Sequence, residues 1–351
     1  MQPPGLVSAT TINGIRNFSS QGLRRSLDIP APLPMSVDTS FDIASITKIL
    51  FTTNLFMYLV DRSEIQISDP VCRYLPQWNT SEKSQITVEH LLSHRSGLEP
   101  WRPLYINCDS PLDAHHWIAS HPLTREVNAT RIYSDLGFIT LGAVLEEIFQ
   151  KDLVSLLNEV LKPIFPFAHS QFAKPIDLAN VAATSRGDIV EYTMVKTGDP
   201  YSIPERVDGF RNWRKNVLVG EVNDGNSFHL FSGASSHAGI FSTAEDLIQM
   251  CEIYLNSFSD NGLFKSSTIK QFCSPSIDPI QNLGFRNWYV QTAKGVEHVI
   301  GHTGFTGAAI GFVPDLNFGA VLLSNRLHTD EIPVKTEDVW LPFLENSLRD
   351  R

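Results

Sequence analysis

Cysteine is scarce in this sequence of 351 residues, which contains only Cys72, Cys108, Cys251 and Cys273 and no CxxC pair. A chain of this length can bury a large hydrophobic core and does not depend on covalent cross-links. We therefore expect four buried thiols and exclude a disulfide framework.

Basic side chains are also in deficit. The 28 lysines and arginines are outnumbered by 38 acidic residues, which gives a formal net charge of −10, and they form no cluster. This balance excludes nucleic acid or an anionic membrane surface as the main partner and leaves chemistry on small molecules or polymers open. Glycine and proline, with 21 residues each, occur at ordinary frequency, so disorder and low-complexity repeats are excluded as well.

Long apolar runs are missing too. The most apolar stretch, residues 43–60, contains Lys48 together with serine, threonine and asparagine, and is too polar to span a membrane. No charged segment followed by an apolar one is visible near the N-terminus, which predicts a cytoplasmic protein; a periplasmic or secreted location stays open if a leader has been removed. The oligomeric state cannot be read from these patterns.

Signatures of cofactors and metals are absent from the sequence. No glycine-rich phosphate loop follows a strand pattern, so no nucleotide cofactor is indicated. His115, His116 and His121 have no carboxylate at ligand spacing, and we expect no metal there.

Strand patterns occupy both ends of the chain, with helix patterns between them. Residues 6–18 predict a hairpin around Asn13-Gly14, because both residues tolerate positive φ. We predict an α/β fold of the α+β type, an antiparallel sheet flanked by helices with an inserted all-helical lobe. The predicted α/β lobe comprises residues 1–62 plus 205–351, and the helical lobe residues 63–204. Four further strand runs are predicted at residues 288–292, 297–300, 308–313 and 319–323.

The helix patterns begin with a central helix at about residues 44–60 that is apolar on almost every face. Residues 166–226 are rich in turn formers, and no structure is assigned to them. Ser242 and Glu245 form a capping box that predicts the start of a late helix. The other predicted helices are Val71–Tyr74, Val88–Ser93, Leu112–Ser120, Ser134–Phe149, Leu153–Leu161 and Glu337–Leu348.

Lys48 is the only charged side chain inside the central helix pattern. A buried charge is costly unless another group pairs it or uses it. Ser45 lies three residues earlier on the same helix face, in the first turn, where free backbone N–H groups favour developing negative charge. Because desolvation favours the neutral amine, we expect Lys48 to accept a proton from Ser45 during attack on a carbonyl.

The spacing S-x-x-K is a weak signal by itself, because Ser267 and Lys270 match it as well. Their segment is short and polar, which predicts a surface helix with a solvated lysine. Ser45 lies at the head of the buried helix, and we therefore choose it as the nucleophile. The alternative is a helix-start serine whose lysine reaches the surface.

The segment FDIASITK at residues 41–48 resembles the nucleophile motif of the serine β-lactamase and penicillin-binding protein superfamily. It is most similar to the class C β-lactamase-like esterases and peptidases. The resemblance extends from about residue 4 to residue 326. Further segments follow in that family's order: LLSHRSGL at 91–98, YSDLG at 133–137, GIFST at 239–243 and GHTGFTG at 301–307.

The resemblance implies roles for the second motif. Tyr133 would take the proton of Ser45 or relay it to the leaving group, and its pKa would fall beside a charged lysine. Asp135 stands where the family usually has asparagine. Its anion could pair with Lys48 and raise the pKa of the lysine, which argues against a neutral amine.

The third family motif is usually K-T-G on a strand beside the site, and two triplets compete for it. Lys196-Thr197-Gly198 matches the letters but leads into Asp199-Pro200, a turn, so we expect Lys196 to be a solvated loop charge. His302-Thr303-Gly304 follows a strand pattern, and the family also tolerates histidine there. We choose this triplet, and the backbone N–H groups of Phe305 and Ser45 would then form the oxyanion hole.

Histidine in place of a permanent cation changes the expected substrate. An unperturbed imidazole titrates near about 6.5, so His302 recognises a carboxylate weakly at neutral pH. Penicillins and D-Ala-terminated peptides carry that carboxylate, and His302 therefore favours neutral esters or amides. Arg326 could restore a positive charge, but we expect it to be a surface arginine.

The sequence therefore predicts a cofactor-free serine hydrolase that forms an acyl-enzyme on Ser45, with Lys48 and Tyr133 moving the proton. Its expected partner is a small-molecule ester, amide or peptide. Two alternatives stay open: a penicillin-binding D-peptidase or weak β-lactamase, and a non-catalytic ligand-binding or sensing member of the family. The predicted substrate-binding and oxyanion residues are Asp135, His302, Thr303, Gly304 and Phe305.

Overall fold

Both ends of the chain contribute to one large antiparallel sheet in the computed structural model, which describes residues 2–259, 262–274 and 278–349. The strands in these residues are β1 (Gly5–Ile12), β2 (Ile15–Arg25), β3 (Leu33–Pro34), β4 (Phe41–Asp42), β5 (Gln171–Phe172), β6 (Ile240–Ser242), β7 (Arg286–Thr292), β8 (Gly295–Thr303), β9 (Ala308–Val313) and β10 (Phe318–Ser324). The large sheet has the order β3-β2-β1-β10-β9-β8-β7, and β4, β6 and β5 form a small second sheet. The pairing of β1 with β10 joins the two ends of the chain.

The predicted N-terminal hairpin is confirmed. Asn13 and Gly14 adopt φ values of 50° and 80°, which a two-residue hairpin turn requires at both central positions. Alternate residues of β1 are buried, as expected for a strand with one face against a core. The four predicted C-terminal strands are confirmed as β7 to β10.

Helices fill the middle of the chain and cover both faces of the large sheet. The α-helices in the described residues are α1 (Asn54–Asp61), α2 (Val88–Leu92), α3 (Leu104–Asn107), α4 (Pro111–Ser120), α5 (Asp135–Phe149), α6 (Leu153–Ser155), α7 (Ile189–Thr197), α8 (Ala244–Phe258), α9 (Ser266–Cys273) and α10 (Thr336–Leu348). Short 3₁₀ turns lie at Ala44–Ile46, Val71–Arg73, Pro76–Trp78, Leu178–Asn180, Val207–Gly209 and Pro314–Leu316, and π-helical segments at Lys48–Thr53, Leu156–Leu161 and Asn226–Leu230.

The expectation of one continuous central helix is wrong. The segment is a 3₁₀ turn, then the π-helical stretch Lys48–Thr53, and only then α1. The side-chain amide of Asn54 donates to the carbonyl of Leu50 at 3.0 Å and so occupies an acceptor of the regular helical ladder. A side chain inserted in this way is a known cause of local helix distortion, and hydropathy patterns do not reveal it.

Two other local expectations need correction. Residues 166–226, to which no structure was assigned, contain α7, and Lys196-Thr197 forms its C-terminal end before Gly198 at φ 70°. The N-cap of α8 is Thr243, whose side chain accepts from the backbone N–H of Asp246 at 3.4 Å. Ser242 still belongs to β6, where its hydroxyl lies 2.9 Å from that of Ser170.

The core has a layer on each side of the sheet. Met250 and Tyr254 of α8 pack with Phe312 on one face, and Trp340 of α10 packs with Val299 on the other. The four cysteines are free thiols, as expected; Cys108, Cys251 and Cys273 are buried, whereas Cys72, which was also expected to be buried, is partly exposed. None of the helices in the described part of the chain combines the length and the apolar character that a membrane-spanning helix requires. The predicted lobe boundaries after residues 62 and 204 stay a prediction.

Candidate active site

Ser45 is presented by a strained turn that directly follows the small sheet. The carboxylate of Asp42 accepts the backbone N–H of Ala44 at 2.9 Å and that of Asn223 at 2.7 Å. Ala44 adopts φ 45°, a conformation that non-glycine residues take only when surrounding contacts hold it. Of residues 41–57, only Ser45 has a side chain that is not fully buried. The turn therefore exposes this one hydroxyl from an otherwise buried segment.

Lys48 is completely buried and lies within hydrogen-bond distance of Ser45. Its Nζ is 3.0 Å from Ser45 Oγ, 3.0 Å from the carbonyl oxygen of His237 and 2.7 Å from Oδ1 of Asp135. The predicted pairing of Lys48 with Asp135 is thus present. The ammonium donates hydrogen bonds to Ser45 Oγ and to the His237 carbonyl oxygen, and the Asp135 carboxylate adds an ion pair.

The expectation that Lys48 is neutral is wrong in this resting arrangement. Burial alone acts to lower the pKa of the lysine, but the adjacent Asp135 carboxylate and the Tyr133 phenol act in the opposite direction, and the pKa lies above its ordinary value. Lys48 is therefore an ammonium paired with a carboxylate. The sequence indicates that burial favours a neutral lysine, but it does not give the 2.7 Å distance between Lys48 Nζ and the Asp135 carboxylate.

Tyr133 lies directly before α5, with its ring against the buried imidazole of His94. The ring centroids are 4.4 Å apart, and His94 Nδ1 accepts the backbone N–H of Ser134, the N-cap of α5, at 3.0 Å. The predicted fall in the pKa of Tyr133 is wrong. Burial raises this pKa, and the lowering effects of Lys48 and Ser45 do not offset it. The phenol therefore keeps its proton at neutral pH.

His302 of β8 is buried and faces the same region. Its ring centroid is 5.9 Å from that of Tyr133, and Nδ1 is 2.7 Å from the carbonyl oxygen of Thr303. Burial, together with the cations Arg286 and Lys48, lowers the pKa of His302 well below its usual value. The imidazole is thus neutral and supplies no charge for a substrate carboxylate.

Thr303 lies on the opposite face of β8, since successive side chains of a strand alternate. Its hydroxyl accepts from a guanidinium nitrogen of Arg286 at 3.0 Å. Thr303 is not among the residues that line the cavity at Ser45, and its place in substrate binding stays a prediction. Gly304, the third residue of the motif, packs against the turn that carries Ser45. A Cβ at Gly304 would lie 2.4 Å from the carbonyl oxygen of Ile43.

Phe305 follows Gly304 in the chain, and about half of its surface is exposed at the site. Arg326 was expected at the surface but is partly buried, because its Nε donates to the carbonyl oxygen of Phe305 at 2.8 Å and its guanidinium lies 5.0 Å from the centre of the Phe305 ring. Arg326 therefore holds the Phe305 loop in place.

A cavity of about 280 Å³ opens at Ser45 and Phe305. Among the predicted site residues, Tyr133 and Asp135 also line it, whereas His302, Thr303 and Gly304 do not. The remaining lining residues are Ala44, Trp101, Val190, Glu191, Met194, Pro200, Tyr201, Asn223, Asp224 and Ala238.

Half of the residues that line this cavity come from residues 190–224, which carry no periodic pattern. Glu191 and Met194 reach the cavity from α7, and Tyr201 reaches it from the loop after that helix. Sequence inspection did not identify these residues, and no spacing in the sequence indicates them. The one available signal was that an irregular region of a small-molecule enzyme is suited to shape its pocket.

The competing candidates lie elsewhere on the surface. Ser267 and Lys270 are exposed on α9, as predicted. Lys196 is exposed as predicted, but it lies in the last turn of α7 and not in a loop. Within residues 2–259, 262–274 and 278–349, no three histidine, cysteine, aspartate or glutamate side chains come together as metal ligands would.

Comparison with known proteins assigns the family. A sequence profile described as Beta-lactamase matches residues 4–341, nearly the whole chain. The chain belongs to the β-lactamase family, whose members are serine hydrolases, and the predicted fold and enzyme class are confirmed.

Two relatives and one solved structure illustrate the similarity. An N-acetylmuramyl-L-alanine amidase from Bacillus subtilis is 30% identical over 329 residues, which cover 86% of this chain and 71% of the relative. A putative D-alanyl-D-alanine carboxypeptidase from Salmonella agona is 27% identical over 325 residues, covering 85% and 72%. A class C β-lactamase from Rhodobacter sphaeroides superposes with a TM-score of 0.68 at 19% identity, covering 97% and 93% of the two chains, a likeness that shows the fold.

Proposed function

We propose that this protein hydrolyses a small amide or ester through an acyl-enzyme on Ser45. The observation that carries the proposal is the 3.0 Å contact between Ser45 Oγ and Lys48 Nζ at the opening of the cavity. A hydroxyl with a nitrogen base at hydrogen-bond distance, and that base oriented by a third group, is the arrangement of an activated nucleophile.

The proton route must start from the ion pair. Asp135, at 2.7 Å, can take the proton of Lys48 when substrate displaces water, because a low-dielectric site favours the neutral pair over two charges. The neutral amine then accepts the proton of Ser45 as the serine oxygen bonds to the substrate carbonyl carbon. Tyr133, which keeps its proton in the resting site, donates it to the leaving nitrogen or oxygen as the bond of that atom to the carbon breaks, and Lys48 passes the proton from Ser45 on to Tyr133. Water subsequently releases the acyl group.

The developing negative charge on the carbonyl oxygen needs two donors. We assign these to the backbone N–H groups of Ser45 and Phe305, which border the cavity from two different segments. The close packing of Gly304 on Ile43 supports this assignment, because it joins the β8 end to the nucleophile turn.

The walls of the cavity favour substrates without a negative charge. None of the residues that line it in the described part of the chain is a lysine, arginine or histidine, whereas three are carboxylic acids. The likeness to an amidase agrees with an amide as the scissile group. The names of the carboxypeptidase relatives keep a second candidate, a penicillin-binding D-peptidase. A cytoplasmic location stays a prediction.

Turnover of p-nitrophenyl butyrate, nitrocefin and a D-alanyl-D-alanine peptide separates these functions. Our proposal expects a stoichiometric burst followed by steady turnover of the ester, and weak turnover of nitrocefin. A penicillin adduct that persists for hours, with release of D-alanine from the peptide, would establish the D-peptidase instead. Absence of any burst, turnover or adduct at every pH would establish a non-catalytic family member and overturn the proposal.

A further inference from the structure

Glu191 is a carboxyl group in the catalytic cavity that the reaction does not use. It lies in the first turn of α7 and lines the same cavity as Ser45. Its two oxygens accept from the Tyr105 hydroxyl at 2.8 Å and from the backbone N–H of Gly225 at 2.6 Å. Both donors are neutral, and in the described residues no cationic side chain lies within ion-pair distance of this carboxyl.

The other two acids of the cavity wall each have a basic side chain beside them. Asp135 pairs with Lys48 at 2.7 Å, and Asp224 lies 3.1 Å from Nε2 of His237. Pairing holds the pKa of Asp224 below its usual range although burial acts to raise it, with His237 as the main lowering influence. Glu191 shows the reverse: burial, and then the Asp224 carboxylate, raise its pKa to about 8, so the carboxyl is mostly protonated at neutral pH and ionises when a cation binds beside it. Among the acids of this wall, Glu191 is thus the one without a basic side-chain partner in the described residues.

The aromatic side chains of the wall point to the same ligand chemistry independently. Trp101 and Tyr201 have ring centroids 6.2 Å apart, and Tyr133 adds a third ring to the lining. Aromatic faces attract cations, and an ammonium held between rings and a carboxylate gains from both. A carboxylate can accept further hydrogen bonds beyond the two that Glu191 already accepts.

Gly225 allows its backbone N–H to reach the Glu191 carboxyl because it has no side chain. A Cβ at Gly225 would lie 2.3 Å from Oε2 of Glu191, so only glycine lets the backbone N–H approach the carboxyl. The carboxyl is thus held in place by two donors before any ligand arrives, which lowers the entropy cost of binding a cation.

We propose that the cavity selects amides and esters whose acyl group carries a protonated amine, with Glu191 as the residue that recognises the ammonium. This proposal deepens the proposed function and rests on it, because the amine is recognised while Ser45 attacks the neighbouring carbonyl. The amine belongs to the acyl part of the substrate, so it stays in the cavity in the acyl-enzyme. The class comprises aminoacyl amides and esters.

Three matched p-nitroanilides test the proposal on the intact protein. Alanyl, lactoyl and isobutyryl p-nitroanilide place an ammonium, a hydroxyl or a methyl group at one position, and the alanyl compound is used in both configurations. A charge-assisted hydrogen bond predicts that kcat/KM for one alanyl compound exceeds that for the isobutyryl compound by about tenfold or more. A ratio of one or less overturns the proposal. Preference for the lactoyl compound also overturns it and indicates recognition of a neutral hydroxyl.

Variants assign the effect to its residue. Glu191→Gln should reduce the alanyl to isobutyryl ratio at least about fivefold through loss of the charge, and Glu345→Gln, an exposed acid on α10, should leave the ratio at the wild-type value. If Glu191→Gln does not fold, the alanyl to isobutyryl ratio of the wild type alone tests the proposal. Covalent labelling of the wild type by a fluorophosphonate distinguishes the failure of one proposal from the failure of the other. If the protein is labelled but the alanyl to isobutyryl ratio is one, only the ammonium site is refuted. If labelling and turnover are both absent, the proposed function is refuted and this inference with it.

Discussion

Lys48 and Asp135 form an ion pair of 2.7 Å between a completely buried ammonium and a carboxylate in the first turn of α5. The pair controls the charge of the nitrogen that faces Ser45. Removing the anion is therefore the most informative change in the proton route.

Asp135→Asn should move the rising limb of the pH profile of kcat/KM to higher pH. In the wild type Asp135 takes the proton of Lys48 within the pair, so the neutral amine forms without loss of a proton to solvent. In the variant this acceptor is missing, and Lys48 becomes the neutral base only when it loses its proton to solvent, which requires a higher pH. Asp208→Asn, an exposed acid, is the control. If the rising limb of the pH profile does not move in Asp135→Asn, Lys48 is not the base.

Tyr133→Phe should lower kcat for an unactivated amide by a factor of about 10² to 10⁴, the usual contribution of a positioned general acid. The effect should be smaller for a p-nitrophenyl ester, whose leaving group needs little protonation. Tyr289→Phe removes a half-exposed hydroxyl remote from the cavity and serves as the control. Equal losses on both substrates would contradict the assignment of Tyr133 to the leaving group.

His302→Lys tests whether the usual family residue fits here. The side chain at this position is 1% exposed, and Lys48 and Arg286 are close enough to depress the pKa of the imidazole. A second buried cation should lower the free energy of unfolding by about 3 kcal/mol, measured by urea denaturation at neutral pH. His302→Gln, which adds no charge, should cost less. A stable His302→Lys protein that turns over anionic substrates would contradict this account.

Gly304→Ala should impair stability and turnover together. Its Cβ would lie 2.4 Å from the Ile43 carbonyl oxygen, so the nucleophile turn and the end of β8 must separate, at a cost of about 1–3 kcal/mol. Gly137→Ala is the matched control, since a Cβ there meets its nearest neighbour at 3.6 Å and α5 gains about 0.5 kcal/mol from the better helix former. Thermal unfolding and ester turnover of both variants provide the comparison; a neutral Gly304→Ala would show that the two segments move independently.

Local patterns predicted much of the fold. The hairpin at Asn13-Gly14 and the strands β7 to β10 follow from turn chemistry and alternation, which act over a few residues. The choice of Ser45 over Ser267 also followed from sequence, because the burial of a helix is visible in its composition.

Properties that depend on packing were not predictable from the sequence. The charge of Lys48 depends on the distance to Asp135, and the direction of the Thr303 side chain depends on the register of β8. Glu191 reaches the cavity because the first turn of α7 lines it, and its sequence neighbourhood resembles that of any surface acid. Tertiary placement, and not residue type, decided these cases.

Peptide mapping by tandem mass spectrometry after reaction with a fluorophosphonate tests most directly whether Ser45 is the nucleophile. We expect a single adduct on Ser45 in the wild type, its loss in Ser45→Ala and its retention in Ser267→Ala. An adduct on Ser267, or labelling that survives in Ser45→Ala, would contradict this expectation.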